Sequence, residues 1–503
     1  MLRMAIIPLA EIPARGSALH GCDAWAIRHG DDVISWGELA DRALRRAHAL
    51  RGVNIGPGDL VTLALPNGSA FYELMFALWT IGATPHVVSY RLPLAELQAI
   101  VAVAEPKMVI ASDAALRKAF GAQPGDFGRD HPEATPLQAV IAPRWKAMSS
   151  GGSTGRPKII VAPGPNSFDT DRKPPLRFPD KGPILATGPV YHNMPVTTNI
   201  QALSEGHSII GMTRFDPEEA LRLIEAFRVK WTSFVPTMMM RISRLPKEVR
   251  EKYDVSSLET VWHWAAPMPR ELKQEWIDWL GPEKIWEIYG GTEGIVTTIL
   301  NGVEWLAHRG SVGRPYLDKI KIVDEAGKEL PRGEVGEIFA LPAGGRGSTY
   351  RYIGADARTT EDGFETLGDF GWMDEDGYLY IADRRTDMIV SGGANIFPAE
   401  VEGALMAHSD VEGAVVIGLP DDDYGATTHA IVQPTVEAQG RLTADELLAF
   451  LRERLVAYKL PRSFEFVTGA LRDDAGKVRR QQLREERIAA MEETKVNRPS
   501  AVG

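Results

Sequence analysis

Over the first third of the chain, strand-like and helix-like stretches alternate, and that rhythm leaves few folds open. DLVTLALP (59–66) reads as a strand; NGSAFYELMFALWTIGATPHVVS (67–89) reads as a helix, a glycine stop and a second strand. Before them, SWGELADRALRRAHALRGVNI (35–55) reads as an amphipathic helix. Its Ser35 stands three residues ahead of Glu38, the spacing of a capping box. GPILATGPVYH, HSIIGMT and WTSFVPT carry the pattern further. A βαβ rhythm predicts a parallel sheet with helices packed on it.

From about residue 310 the rhythm changes. KIKIVDEAGKELPRGEVGEIFA predicts two strands around a polar turn, and DGYLYIADR a further short strand. After 386 the pattern is α+β: AEVEGALMAH a helix, GAVVIGLP and ATTHAIVQPT strands, TADELLAFLRERL a helix, SFEFV a strand. The segment Gln123–Pro143, with several Pro, Asp and Gly residues, predicts a surface loop. The fold class expected is α/β. A large N-terminal region (1–384) of mixed parallel sheets with packed helices and a short β-barrel-like part precedes a small α+β domain (385–503). A chain of 503 residues has room for this, at roughly 100–200 residues per domain.

Net charge is −11, from 56 Lys+Arg against 67 Asp+Glu. A protein that wraps nucleic acid shows a basic footprint, so that class is excluded and a polyanionic ligand must meet a local cluster of donors. Cys22 is the single cysteine, which rules out an intrachain disulfide or a cysteine metal site and suits a reducing compartment. The apolar patch before Glu11 is too short for a secretory signal, and no run approaches the ~18 apolar residues of a membrane span. A cytoplasmic protein is expected.

Four stretches carry chemistry. In SSGGSTGRPK (149–158), glycines let backbone amides approach phosphate oxygens, hydroxyls add donors and Lys158 adds a charge; the alternative is a plain flexible turn. It is not a GxxxxGK[ST] loop. YGGTEG (289–294) puts a carboxylate beside a threonine hydroxyl, which could hold Mg2+ next to a phosphate or simply face solvent. In GDFGWMDEDGYLYIADRRTDMIVSGGANIFPAEVE (368–402), Asp369 could accept from two ribose hydroxyls and Arg384 could join it, or pair with Asp387 on the surface. In RDDAGKVRRQQLRE (472–485) a lysine on a glycine turn precedes a basic helix, which is either a reach into a neighbouring cleft or a solvated end.

Taken in order, these stretches resemble the acyl-adenylate-forming superfamily, on its acyl-CoA synthetase branch, from about residue 30 to 487. The wording GPEKIWEIYGGTE, EWLAHRGSVGRP and DRRTDMIVSGGANIFPAEVE is most similar to bacterial bile-acid and steroid-acid CoA ligases. The resemblance implies a soluble enzyme using ATP, Mg2+ and coenzyme A, with a small-molecule carboxylic acid as partner and a homodimer as the assembly to test. The acid reacts with ATP to give acyl-AMP, and CoA then takes the acyl group. Ser150, Gly151, Gly152, Ser153, Thr154 and Lys158 would cradle the β- and γ-phosphates. Thr292 would touch the α-phosphate and Glu293 would hold Mg2+. Ala265, Ala266, Pro267 and Tyr289 would line the adenine slot, and Asp369 and Arg384 would hold the ribose. Lys477 would bridge the carboxylate and the α-phosphate, with no pKa tuning needed. The small domain would swing about a hinge at Thr386 to bring SGGAN, with Gly392 and Gly393, to the thiol tunnel. His192 would gate the acyl pocket.

Departures from the pattern bear on the substrate. VWHWAAP puts His263 and Trp264 where related ligases line the carboxylate pocket, while Gly291, where the family often has methionine, is expected to free volume opposite, with Gly290 beside it in the same pocket. Phe234 or Val235 stands where an amino-acid substrate would need an acidic partner, which disfavours amino-acid activation. The leading expectation is a CoA ligase for a hydrophobic acid: a steroid or bile-acid side chain, an aryl acid or a fatty acid. The alternatives are an adenylating enzyme that loads a carrier protein or another nucleophile, and an inactive nucleotide-binding module.

Overall fold

The computed structural model describes residues 6–149, 157–169, 175–392, 394–421, 423–473 and 476–496. Among them two large mixed sheets dominate. One has nine strands, parallel through its middle: Ile285–Gly290, Thr260–His263, Trp231–Phe234, Ile184–Ala186, Ile209–Gly211 and Trp25–His29. The other has six, parallel through Lys146–Ser149, Thr84–Val87, Leu60–Ala64 and Met108–Ala111.

The helix Ser69–Thr80 is apolar on nearly every face, so it needs cover all round. It obtains that cover by lying between the two sheets, against Trp25–His29 and Asp32–Ser35 of one and Thr84–Val87 of the other. The helix Trp36–Gly52 packs alongside it, and the expected capping box is formed: the Ser35 hydroxyl accepts from the Glu38 amide at 3.1 Å, and the Glu38 carboxylate accepts from the Ser35 amide at 2.8 Å. Glu73 is the one carboxylate on the buried helix and is itself fully buried. Arg46, equally buried, meets it at 2.7 Å, and Arg42 and Arg129 each at 3.3 Å. Arg46 also donates to the Gly125 and Phe127 carbonyls. The segment 123–143 therefore runs without helix or strand, as expected, yet is tied to the interior at both ends. At its far end Asn166 accepts from the Ala142 amide and donates to the Val140 and Trp79 carbonyls.

A four-stranded antiparallel sheet (Lys319–Val323, Gly336–Leu341, Asp369–Met373, Leu379–Arg384) stands where the barrel-like part was expected. Beyond it, the strands Val411–Asp421, Gly425–Pro434 and Ser463–Phe466 build a separate apolar core with the helices Pro398–Met406 and Ala444–Arg452. This carboxyl-terminal unit is docked on the rest. Arg479 meets Glu96 at 2.7 Å, and Arg244 donates to the Val411 carbonyl. A Cβ on Gly476 would lie 3.5 Å from Thr237, 3.7 Å from Val235 and 3.8 Å from Ala266.

Removing one partner of a buried ion pair leaves the other charge stranded, at about 3–5 kcal/mol. Glu73→Ala, which strands Arg46, is expected to lower unfolding stability by about that much in urea titration. A loss below about 1 kcal/mol, the level of an exposed pair, would contradict this account.

Candidate active site

In open α/β sheets the crevice forms at the carboxyl ends of the parallel strands. Here both sheets deliver those ends to one cleft of about 2300 Å3. Val235, Trp264–Pro267, Gly291–Glu293 and Pro189–Pro195 follow strands of the nine-stranded sheet, and Val88, Ser89 and Ser149 end or follow strands of the six-stranded one. Residues of the carboxyl-terminal unit, Lys477 among them, close the cleft.

Ser149 pairs with Ile159 across an antiparallel strand pair. Ser150, Gly151, Gly152, Ser153 and Thr154 lie outside the described residues. Lys158 is described and meets Glu293: Nζ donates to Glu293 Oε1 at 3.3 Å and to the Tyr352 hydroxyl at 2.8 Å, and that hydroxyl donates to Glu293 Oε1 at 2.6 Å. The ammonium also lies 4.1 Å from the Tyr352 ring centroid. Sequence reasoning missed Tyr352. Its strand-like surroundings were legible, but not that Arg351–Ile353 would pair beside Ile159–Val161. Thr292 lines the cleft beside Glu293.

Across the cleft Asp369 and Arg384 face each other in register on adjacent strands, with Arg384 Nε 3.5 Å from Asp369 Oδ1. The Tyr289 hydroxyl donates to Asp369 Oδ2 at 2.6 Å. Burial raises the Asp369 carboxyl above its ordinary range, against the pull of Arg384 and Tyr289. Burial, and then the Asp369 charge, push the Tyr289 phenol well up. Arg384 does lie exposed, but its ion partner is Asp369 rather than Asp387, which pairs with Arg480 at 3.1 Å. Ala265, Ala266 and Pro267 line the same wall, and Ala265 takes φ of 73°, a left-handed conformation that costs a residue with a Cβ roughly 1–2 kcal/mol. Such strain gathers at functional sites.

Lys477 and His192 come together at the junction of the two units. Burial lowers His192 to about 3, and the Lys477 charge adds to that. The surrounding protein lowers Lys477, and Arg384 does so further, while Asp473 and Glu293 pull the other way. The expectation that this lysine needs no tuning is therefore corrected in direction: the surrounding protein and Arg384 lower it, although the residue itself remains exposed where it faces the cleft. His192 occupies the N-cap position of the helix Asn193–Ser204 without a capping bond from its side chain. Behind that helix, buried Lys146 donates to Asn193 Oδ1 and Thr197 Oγ1 and anchors its first turn, a role with no signal in the sequence.

Three further expectations are corrected. His263 is fully buried and lies outside the cleft wall, near the Lys273–Glu287 ion pair and 3.7 Å from Glu287; Trp264 alone lines the cleft. Trp264 is 5% exposed and stands against Trp231 and Trp262. Gly291 lines the cleft but opens no gap, because a Cβ there would meet Leu367 at 2.8 Å and Glu293 at 2.9 Å. At Gly290 a Cβ would meet the Val296 carbonyl at 2.5 Å. Gly392 is not on the cleft, and its amide donates to the Tyr424 carbonyl at 2.9 Å; Gly393 lies outside the described residues. Thr386 sits in the turn just after the strand that ends at Arg384.

Lys158, Arg384 and Lys477 around one cleft, with the carboxylates of Glu293 and Asp369 between them and an apolar wall beside them, suit an enzyme that activates an acid with a nucleoside triphosphate. The AMP-binding enzyme family matches residues 15–344, and its C-terminal domain matches residues 400–477. The chain belongs to this family, on its CoA-ligase branch. It is 31% identical to a feruloyl-CoA synthase of Amycolatopsis over 92% of this chain and 95% of that one. It is 27% identical to a 2-succinylbenzoate–CoA ligase of Bacillus licheniformis, over 92% and 96%. Its fold superposes on the o-succinylbenzoate CoA synthetase of Bacillus subtilis, solved with an acyl-adenylate, with a TM-score of 0.78 at 23% identity, covering 95% of this chain and 98% of that one. As a member of this branch the enzyme joins a carboxylic acid to a thiol through an acyl-AMP. Among the described residues no helix is long and apolar enough to cross a membrane.

Overpacking a filled site costs about 1–3 kcal/mol. Gly290→Ala, whose Cβ would press on the Val296 carbonyl, is expected to lower the thermal midpoint, while Gly291→Ala, which meets only the movable ends of Leu367 and Glu293, is expected to lower it less. An unchanged midpoint in Gly290→Ala would contradict this account.

Proposed function

We propose that this chain is an ATP-dependent CoA ligase for a hydrophobic carboxylic acid, working in the cytoplasm. The observation that carries the reading is that Lys477, from the carboxyl-terminal unit, stands in the same cleft as Lys158, Glu293, Asp369 and Arg384, beside His192. In this reading residues 1–384 form the adenylating body and 385–503 the mobile domain, hinged at Thr386 and held here in its adenylation pose.

The first step brings an anionic carboxylate against a polyanion, so charge must be neutralised and the attack aligned. The carboxylate oxygen forms a bond to the α-phosphorus, and the bond to the β-phosphate oxygen breaks, releasing pyrophosphate. Lys477 would hold both reacting groups, and Lys158 with residues 150–154 the leaving phosphates. Thr292 would touch the α-phosphate. The ribose hydroxyls would bind Asp369, kept in place by Tyr289 and Arg384, and the adenine would lie along Ala265–Pro267. Mg2+ accepts one or two protein carboxylates and completes its shell with phosphate oxygens and water, and Glu293, steadied by Tyr352 and Lys158, offers it such a carboxylate. When bound, the ion would neutralise phosphate charge. In the second step the CoA sulfur attacks the acyl carbon, forming the thioester as AMP leaves. Gly392 and Gly393 would enter the site only after the domain swings.

The acyl group would lie past His192 against Trp264, Val235, Met238 and Met194, an apolar wall. It suits an aryl, fatty or steroid side-chain acid and offers nothing to an ammonium. The deciding experiment is pyrophosphate release across acids from acetate through aryl and long-chain to steroid acids, with and without CoA. CoA-dependent thioester with one apolar class supports the reading. Adenylate without CoA transfer moves the acceptor to a carrier protein, and ATP binding without turnover of any acid leaves an inactive nucleotide-binding module. Mass measurement in solution tests the homodimer.

Lys477→Ala is expected to abolish adenylate formation while sparing thioester formation from supplied acyl-AMP; equal loss in both halves would sink the assignment. The lysine acts charged, so adenylation should fall as pH rises through its pKa. That alkaline limb is expected below the ordinary lysine value of about 10.4.

A further inference from the structure

Lys477 belongs to the carboxyl-terminal unit, yet in the proposed reaction it works on the body, so its seat there has to be set. The turn that carries it is stiff. The Lys477 amide donates to Asp473 Oδ1 and the Asp473 amide to the Lys477 carbonyl, each at 2.9 Å, and Arg472 donates to the Gly476 carbonyl at 3.1 Å. Gly476 is buried at φ of 75°, and its bare backbone lies against Thr237, Val235 and Ala266 of the body. Val478 packs on the core of its own unit. The residues on either side of it both turn to the body: the Lys477 charge acts on His192, and Arg479 Nη1 donates to Glu96 Oε2 at 2.7 Å. All three of Glu96, Lys477 and Arg479 line the cleft.

Glu96 is a firm anchor. It lies in the first turn of the helix Leu94–Ala104, whose Leu97, Ile100 and Ala104 sit in one apolar cluster with Ala147 and Val161 of the six-stranded sheet. The pair itself is partly exposed, Arg479 at 49% and Glu96 at 28%. An exposed pair shifts an equilibrium only about 1.5- to fivefold. That is too little to hold a fold together, and each unit has an apolar core of its own. It is enough to bias how one such unit rests on the other, and a displacement of about 1 Å at a reacting group can cost about a hundredfold in rate.

We infer that Glu96 and Arg479 are positioning residues for adenylation: their ion pair seats the turn that carries Lys477 and so sets where its ammonium stands in the cleft. The inference rests on the reading of Lys477 as the adenylating lysine. In that reading the carboxyl-terminal unit leaves this seat before the thiol attacks, so the pair bears on the first half-reaction alone. Neither residue touches the reacting groups; they act through the turn between Asp473 and Arg479.

The test is charge reversal in the full-length enzyme. Adenylation is read as pyrophosphate release with the most active acid of the panel above, and the second half-reaction as thioester formed from the supplied acyl-AMP of that acid. Glu96→Gln and Arg479→Gln are each expected to slow adenylation about 1.5- to fivefold. Glu96→Arg and Arg479→Glu should slow it further, and Glu96→Arg/Arg479→Glu should restore most of the loss. Thioester formation should stay unchanged in every variant. The seating is read separately, without substrates, as the spin-label distance between Cys22, the single cysteine, and Val436→Cys, both at exposed positions. The separation found in this structure should lose population in either single reversal and regain it in the double one. A double reversal no better than the single ones, equal loss in both half-reactions, or an unaltered distance distribution in the single reversals would each overturn the inference while leaving the ATP reading intact. Pyrophosphate release from no acid of the panel would overturn the adenylation reading itself, and the inference with it.

Discussion

A parallel sheet has to be covered on both faces, and two such sheets here share one cover, the helix Ser69–Thr80. Much else follows from that shared layer. Both sheets are held face to face with their carboxyl ends toward a common cleft, so residues from distant parts of the chain meet without any loop having to reach far. The buried Glu73 with its arginines lies in this layer and fixes how the neighbouring helix and the long irregular segment lie on it. Such a pair adds little net stability over apolar packing, but once buried it cannot be half removed.

The cleft is an electrostatic assembly built from both units of the chain. Lys158, Glu293 and Tyr352 form one closed group, and Tyr289, Asp369 and Arg384 form another. Each pairs a cation with a buried carboxylate, Glu293 or Asp369, although Arg384 keeps most of its own side chain exposed; carboxylates held in this way need little reorganisation when a ligand arrives. Lys477 belongs to neither group. It arrives from the carboxyl-terminal unit and perturbs His192, and both groups act on it, through Arg384 and Glu293.

The junction itself is polar. Asp383, at the end of the strand before Thr386, accepts from the Arg384 amide and from the Ala399 amide at the start of the helix Pro398–Met406, each at 2.7 Å. Burial raises its carboxyl to about 6, with Arg480 opposing. Arg480 in turn bridges Asp387 and Glu402. The turn at Thr386 is thus framed by hydrogen bonds and ion pairs, with little apolar contact of its own.

The alternation of strands and helices, the capping box at Ser35 and the α+β pattern after 386 are local properties, carried by periodicity and composition over a few residues. The sequence by itself therefore determined these elements, and the order of its motifs, through their resemblance to a known superfamily, pointed to the chemistry. Contacts between residues far apart in the chain were beyond it. That Tyr352 would join Lys158 and Glu293, that His86 would link Thr62 to Ser149, and that Leu367 would fill the space at Gly291 depend on strand order and register, which no local pattern encodes. His263 shows the same limit: one residue along a strand turns a side chain from the cleft into the core. The lowered pKa of Lys477 comes from the protein around it and from Arg384, brought near it by the fold while the residue itself stays exposed, so it was decided by the tertiary structure.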